Sequence, residues 1–397
     1  MPKFKQALVW PGKVEVVEKD LPEIKDNEIL VRIELSGICG TDAHVFEKGY
    51  GPHRISGSTT YPLSLGHEYV GVIEKKGKDA DKYMNYRTEI PDVGDRIYWG
   101  LDMYNPLDDF NMLLPGWQQW AFVGTYGFAP PETGFWGGWG QYVILKPGTY
   151  IWRLPKEKIS PEKGVVIEPY IVGLRAADKL LTMLAISEKE ANPSTDVVAI
   201  YGAGAIGLAT LTALKAASPF IVTIVLDPND HRLDKAKELG ADYVINVRKT
   251  SREERIEKIK DIVAKHSPYK LGERWGVDGV VNCTGKNSEV VIPEGIEILR
   301  PMGVFVEVGS FTYRTAGTFT LDPHEICSRE LIFVGNWAYP LSTINKGVMQ
   351  VRAGLFDKIP YHTIITHKHK LEPGDITRGI NDLLRGVGIK HVIDPWL

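Results

Sequence analysis

Three short stretches carry residue types that do chemistry when gathered together: Cys39-Gly40-Thr41-Asp42-Ala43-His44, Gly66-His67-Glu68 and Glu168-Pro169. A thiolate, an imidazole and carboxylates are the donors that hold zinc while leaving one coordination place open. A fourth stretch, Gly202-Ala203-Gly204-Ala205-Ile206-Gly207, has the glycine spacing of a dinucleotide-binding turn. Side by side, a metal and a dinucleotide would support hydride transfer at an alcohol or a carbonyl.

Taken singly, Cys39, His67 and Glu68 read equally well as a buried thiol and a hydrogen-bonded His-Glu pair. Glu168 shifts the balance, because it stands in Val165-Val166-Ile167-Glu168-Pro169, where an ionised carboxylate among apolar neighbours lacks a countercharge that a metal would supply. The glycine turn gains weight from its surroundings. An apolar strand, Val197 to Tyr201, precedes it, a small-residue helix to about Ala217 follows, and the next strand, Ile221 to Leu226, ends at Asp227. Gly202 permits the tight turn, Gly204 admits the pyrophosphate, Gly207 lets the helix lie close to the sheet, and the helix N-terminus receives the phosphates. Asp227 favours NAD over NADP, since a carboxylate accepts from both ribose hydroxyls and repels a 2′-phosphate. Arg232 lies near enough to stack on adenine or to pair with a phosphate instead.

The elements that must position these groups fall into two sets. A chain of 397 residues exceeds the roughly 250–300 residues that one hydrophobic core serves, so two domains are expected: 166–335 for the dinucleotide and 1–165, with 336–397 returning to it, for the metal. In the first set, Ala7 to Trp10, Val14 to Val17, Ile29 to Leu35, Tyr69 to Lys75 and Tyr142 to Leu145 predict a small antiparallel barrel. Thr41 or Asp42 would cap a short helix running to about Lys48. A helix from Pro161 to about Leu184 leads toward the second set. There, strands at 197–201, 221–226, 277–282, 304–308 and 331–334 alternate with helices at 252–266 and 290–299, which predicts a doubly wound parallel sheet and an α/β fold class. The tail adds a helix near 376–384 and a strand at 389–393. Ser187 to Thr195 looks like a linker.

Between Lys78 and Tyr142 the pattern dissolves into glycine, proline and aromatics, with Trp99, Trp117, Trp120, Trp136 and Trp139 among the chain's ten tryptophans. Such a lobe folds on an aromatic cluster, and an indole face also packs well on a sugar or cyclitol ring. Most of the five are expected in the lobe core or an oligomer contact, with one or two reaching a substrate. His362, His367 and His369 suggest a second metal site, but Lys368 and Lys370 oppose a cation there.

Composition excludes several partners. The formal net charge is −3 with 24% charged residues, and no basic block suited to nucleic acid stands out. No run approaches the roughly 18 apolar residues of a membrane span, and the first residues lack a cleavable leader pattern; a soluble, cytoplasmic protein is expected. Three cysteines, Cys39, Cys283 and Cys327, are too few and too scattered for a disulfide framework.

In order and spacing these motifs resemble the zinc-dependent medium-chain dehydrogenase/reductase family, in particular its sorbitol, threonine and polyol dehydrogenase branch. Val93-Gly94-Asp95-Arg96, Lys235 to Asp242 and Asn282-Cys283-Thr284-Gly285 extend the likeness over almost the whole chain. The resemblance implies a GroES-like β-barrel catalytic domain followed by a Rossmann domain. It implies Cys39, His67 and one or both of Glu68 and Glu168 as zinc ligands, the more distant carboxylate holding the water on the ion, and Thr41 and His44 as a proton relay. Gly202, Gly204, Ala205, Ile206, Gly207, Asp227, Arg232, Thr284 and Val308 would line the NAD site. A homodimer or homotetramer is implied, with Leu331 to Val334 as a pairing edge. Many relatives carry a second, structural zinc on four cysteines after Val-Gly-Asp-Arg; no cysteine lies between Cys39 and Cys283 here, so one catalytic ion and no structural zinc is expected. The substrate implied is a polyol, cyclitol or sugar derivative. An aromatic or amino alcohol, a zinc-free quinone or enoyl reductase, and a non-catalytic cofactor-binding protein are the alternatives.

Overall fold

The computed structural model describes residues 2–48, 61–104, 122–187, 196–266, 275–285, 288–309 and 318–397. Its chain gathers into two compact units, one of Met1–Glu168, Tyr339–Lys358 and His362–Leu397, the other of Pro169–Ala338 and Ile359–Tyr361.

The first unit is organised on the strand Ile29–Ile38, whose apolar, β-branched sequence is buried along nearly its whole length. It pairs antiparallel with Tyr69–Lys76, Tyr142–Leu145 and Lys390–Asp394. Tyr69 and His391 to Ile393 pair with Ser36 to Ile38, just before Cys39, whereas Tyr142–Leu145 pairs with the opposite end, Ile29 to Arg32. The eight-stranded sheet is not wholly antiparallel: Ile365–Lys370 runs parallel to Lys390–Asp394, and Tyr150–Leu154 parallel to Asn85–Tyr86. Lys3–Trp10 and Lys13–Asp20 form a separate hairpin, bridged to this unit at Gln6–Gly140 and Val9–Leu63.

Two local differences from the sequence reading have simple causes. The short helix begins at Gly40 rather than after Thr41 or Asp42, because Asp42 lies inside its first turn and turns its carboxylate back onto the N–H of Cys39 at 2.9 Å. The long helix breaks at Val166 into Pro161–Val165 and Ile167–Ile186, which places Glu168 in the first turn of the second piece.

In the second unit six parallel strands lie in the order Tyr243–Asn246, Val222–Asp227, Val197–Tyr201, Val277–Asn282, Leu299–Glu307, Ile332–Gly335. Three of the four inner strands, Val222–Asp227, Val197–Tyr201 and Val277–Asn282, are buried at every position, as strands covered on both faces must be. The order reverses between Val197–Tyr201 and Val277–Asn282, and the crevice outside the strand ends at such a switch point is where α/β sheets bind ligands. No helix among the described residues is long and apolar enough to cross a membrane.

Candidate active site

The metal-type donors converge. Ligand atoms of Cys39, His67 and Glu68 lie within 4.8 Å of one another, and among the described residues they are the only such group. Cys39 ends the Ile29–Ile38 strand region, and His67 and Glu68 lie on the turn that opens Tyr69–Lys76. Gly66 makes this turn in the left-handed region (φ 97°) and lies against Trp139, leaving no room for a Cβ. The backbone then locks to the neighbouring strand: Glu68 O accepts from Gly37 N at 2.7 Å and from Ser36 Oγ at 3.0 Å.

Each side chain of the cluster is held by a partner from elsewhere. Asp42 Oδ1 lies 3.3 Å from His67 Nδ1, which leaves Nε2 as the ring nitrogen that can face a cation; Phe128 stacks on the ring at 4.3 Å between centroids. Glu68 forms an ion pair with Lys390, whose ammonium also donates to Ile38 O at 3.0 Å. Glu168 stays outside the tight cluster and accepts from the Tyr339 hydroxyl at 2.8 Å. The His67–Glu68 hydrogen bond considered for the sequence is replaced by these two separate pairings. Asp42, Lys390 and Tyr339 were missed as site residues. A lysine in Ile389-Lys390-His391-Val392-Ile393, with buried Val392 on its own face of the strand, was the available signal.

Burial sets the electrostatics. Asp42, Glu68, Glu168 and Lys390 are at most 6% exposed. Burial works against a charged His67, yet Asp42 and Cys39 raise its pKa well above the ordinary value. Burial lifts Glu168 to about 7, with Glu68 adding to the rise and His67, Tyr339 and Lys390 opposing it. Burial likewise disfavours the Lys390 ammonium, but Glu68 and Cys39 outweigh it and raise its pKa. Glu68, Glu168 and Cys39 all act on the one ammonium of Lys390, so a dication fits both the donor set and the surplus of acidic groups. Thr41 Oγ1 lies 3.8 Å from Cys39 Sγ, and His44 follows on the same helix at the i+3 position, 4.0 Å from Glu47.

Of the aromatic lobe, Trp99 and Trp139 are fully buried. Trp99 stacks on Tyr69 at 4.0 Å, and Trp139 Nε1 donates to Gly37 O at 2.9 Å, so both brace the strands that carry the cluster. Trp136 stacks on Phe4 at 5.2 Å. Trp117 and Trp120, and most of the linker-like stretch, lie outside the described residues. His367, His369 and His391 stack face to face, with His369 Nε2 hydrogen-bonded to His391 Nδ1 at 3.0 Å. Their other nitrogen partners are Thr366 Oγ1 for His367, Asp375 for His369 and Val387 O for His391, so these rings do not converge on a cation site.

The glycine turn sits where its sequence places it. Gly202 takes φ 92°, and a Cβ there would press on Cys283 and Thr284. A Cβ on Gly207 would collide with Gly202 O, whereas the space beside Gly204 is open. Ala205 and Ile206 open the helix Ala205–Ala217, whose N-terminal N–H groups make an anion site. Asp227 Oδ2 accepts from Ala203 N and Oδ1 from Asn229 N, each at 2.8 Å, so it props the turn itself. Burial depresses the Arg232 pKa while Asp227 opposes the change. Val308 N donates to Asn282 O at 3.0 Å, which sets Val308 beside Thr284 at the carboxyl ends of adjacent strands.

Residues 25–156 match the alcohol dehydrogenase GroES-like domain, and residues 205–352 match the zinc-binding dehydrogenase domain. The chain is 26% identical to 5-exo-hydroxycamphor dehydrogenase of Pseudomonas putida over 98% of both proteins. It is 24% identical to sorbitol dehydrogenase of Halalkalibacterium halodurans over 97% of this chain and 96% of that one. An alcohol dehydrogenase structure from Thermotoga maritima superposes with a TM-score of 0.79 at 21% identity, covering 99% of this chain and all of that one. The chain belongs to the zinc-dependent medium-chain dehydrogenase family; it is an enzyme, a zinc-binding dehydrogenase.

Proposed function

We propose that the enzyme reversibly oxidises a secondary alcohol of a polyol, cyclitol or sugar derivative to the ketone, with NAD taking the hydride. The observation that carries this reading is the convergence of half-buried Cys39 with buried His67 and Glu68. The likeness to a sorbitol dehydrogenase supports the substrate class. These three residues would hold zinc with Glu168 beside them, and the ion would supply a Lewis acid that lowers the pKa of an alcohol hydroxyl.

The rest of the chemistry belongs to the chain's own groups. Asp42 fixes the ring of His67, and Lys390 neutralises Glu68, so the donors are set before substrate arrives. Thr41 receives the hydroxyl proton, since its own hydroxyl both accepts and donates, and His44 exchanges that proton with solvent. Gly202, Gly204 and Gly207, with Ala205, Ile206, Thr284 and Val308, receive the dinucleotide. Asp227 keeps a 2′-phosphate away while Arg232 lies beside it.

The strand Ile332–Gly335 is the outer strand of its sheet and carries the partly exposed Phe333, which supports a homodimer paired at that edge. The free state of all three cysteines accords with a cytoplasmic location.

The test is NAD reduction across hexitols, cyclitols, sugar acids, a bicyclic terpenoid alcohol and aromatic alcohols. A polyol, cyclitol or sugar should give the highest kcat/KM. Turnover confined to aromatic or amino alcohols would move the substrate class, and quinone reduction by metal-free protein would overturn the reading.

A further inference from the structure

The two glutamates at the site differ in who holds them. Glu68 is paired with the Lys390 ammonium, and Glu168 is hydrogen-bonded by a neutral phenol, Tyr339, itself buried. Tyr339 follows Ala338, a residue with a side chain that nonetheless adopts φ 46°, and precedes Pro340, which caps the helix Leu341–Arg352. L-residues rarely take that backbone conformation, and it persists only where the surroundings enforce it. Here the enforced turn delivers a phenol to a buried carboxylate.

We propose that Tyr339 is a positioning residue that keeps Glu168 out of the innermost ligand set, so that one place on the metal held by Cys39, His67 and Glu68 stays exchangeable. The inference rests on the metal reading above. A buried carboxylate deprived of its hydrogen-bond donor seeks the nearest strong positive partner. Lys390 is already engaged by Glu68 and by Ile38 O, which leaves the metal. Four protein donors would close a tetrahedral zinc site, whereas three leave it open. The phenol therefore decides between a closed ion and an open one without touching the ion.

The full chain reconstituted with Co(II) provides a readout independent of turnover, with imidazole as the probe of the exchangeable place. Wild type should bind one cobalt per chain with a thiolate charge-transfer band, and imidazole should shift its d–d bands. Tyr339→Phe should keep the cobalt but show altered d–d bands and bind imidazole at least ~10-fold more weakly, the scale expected when an outer partner of a ligand is lost. Adding Glu168→Gln should restore imidazole affinity to within about twofold of wild type, because the competing carboxylate is gone.

The inference is overturned if Tyr339→Phe matches wild type in bands and imidazole affinity. It is equally overturned if that variant loses its cobalt, or if the double variant stays as weak as the single one. A wild-type chain without a cobalt–thiolate band overturns the metal reading itself, an outcome distinct from the other three.

Discussion

The metal cluster and the glycine turn are built by opposite means. The turn works through what is missing: Gly202 reaches a left-handed backbone, Gly207 leaves room for a carbonyl, and the helix beginning at Ala205 presents bare N–H groups. The cluster works through an excess of buried charge, with Asp42, Glu68, Glu168 and Lys390 each made tolerable by a neighbour brought from far along the chain. A site made of backbone can be specified by a few consecutive residues. A site made of charges needs the whole sheet to be assembled first.

One glycine on each side separates the two designs most sharply. A Cβ at position 37 would collide with Glu68 Oε2, and one at position 207 with Gly202 O. Gly37→Ala should weaken metal binding by ~10–100-fold and leave NAD affinity intact, since it presses on the Glu68 carboxylate without touching the turn. Gly207→Ala should do the reverse, with an NAD loss of ~10-fold or more from overpacking of roughly 1–3 kcal/mol. Metal titration and NAD fluorescence titration on both variants check the pair, and a loss of both ligands in either variant would erase the contrast.

A smaller effect sharpens the role of charge on the nucleotide side. Asp227→Ala should weaken NAD by roughly 10-fold, from loss of a charge-assisted hydrogen bond, and should weaken NADP less. Equal losses would reduce Asp227 to its structural task of bonding Ala203 N and Asn229 N.

The smallest effect belongs to the stacked histidines. His391 donates from Nε2 to Val387 O at 2.9 Å and accepts at Nδ1 from His369, so it is neutral in the native state. Burial, with the neighbouring His367 and His369, pushes its pKa down to about 4 from an ordinary 6.5, against the Val387 carbonyl and Asp382. The unfolded chain thus takes up this proton first. Stability should be constant above pH 6.5 with respect to this group and fall as pH drops toward about 4. Urea unfolding midpoints against pH should show a shallower acid slope in His391→Asn; identical slopes would remove the group from the account.

How much of this the sequence discloses follows the same division. Most of the parallel sheet is legible because its central strands are apolar runs, as in Val197–Tyr201 and Val222–Asp227, and because its glycine turn is contiguous; the short, half-buried edge strand Tyr243–Asn246 carries no such signal. Cys39, His67 and Glu68 are legible as residue types, but their partners are not. Lys390 lies 322 residues after Glu68, and only the pairing of Lys390–Asp394 with Ile29–Ile38 brings them together. Ile365–Lys370 reads from its threonine, lysines and histidines as a polar strand or a loop alike, because only His369 in it is buried. Asp42 stood in plain view within a motif, yet as a helix cap rather than as the partner of His67, since a carboxylate in a first turn has both uses.

The central claim is that Cys39 anchors a catalytic zinc at a site energetically separate from the dinucleotide. Zinc content, alcohol-dependent NAD reduction and NAD affinity measured together on wild type and Cys39→Ala test it most directly. The account predicts one zinc per chain and turnover in wild type, and loss of both in the variant with NAD affinity unchanged; normal turnover in zinc-free protein would contradict it.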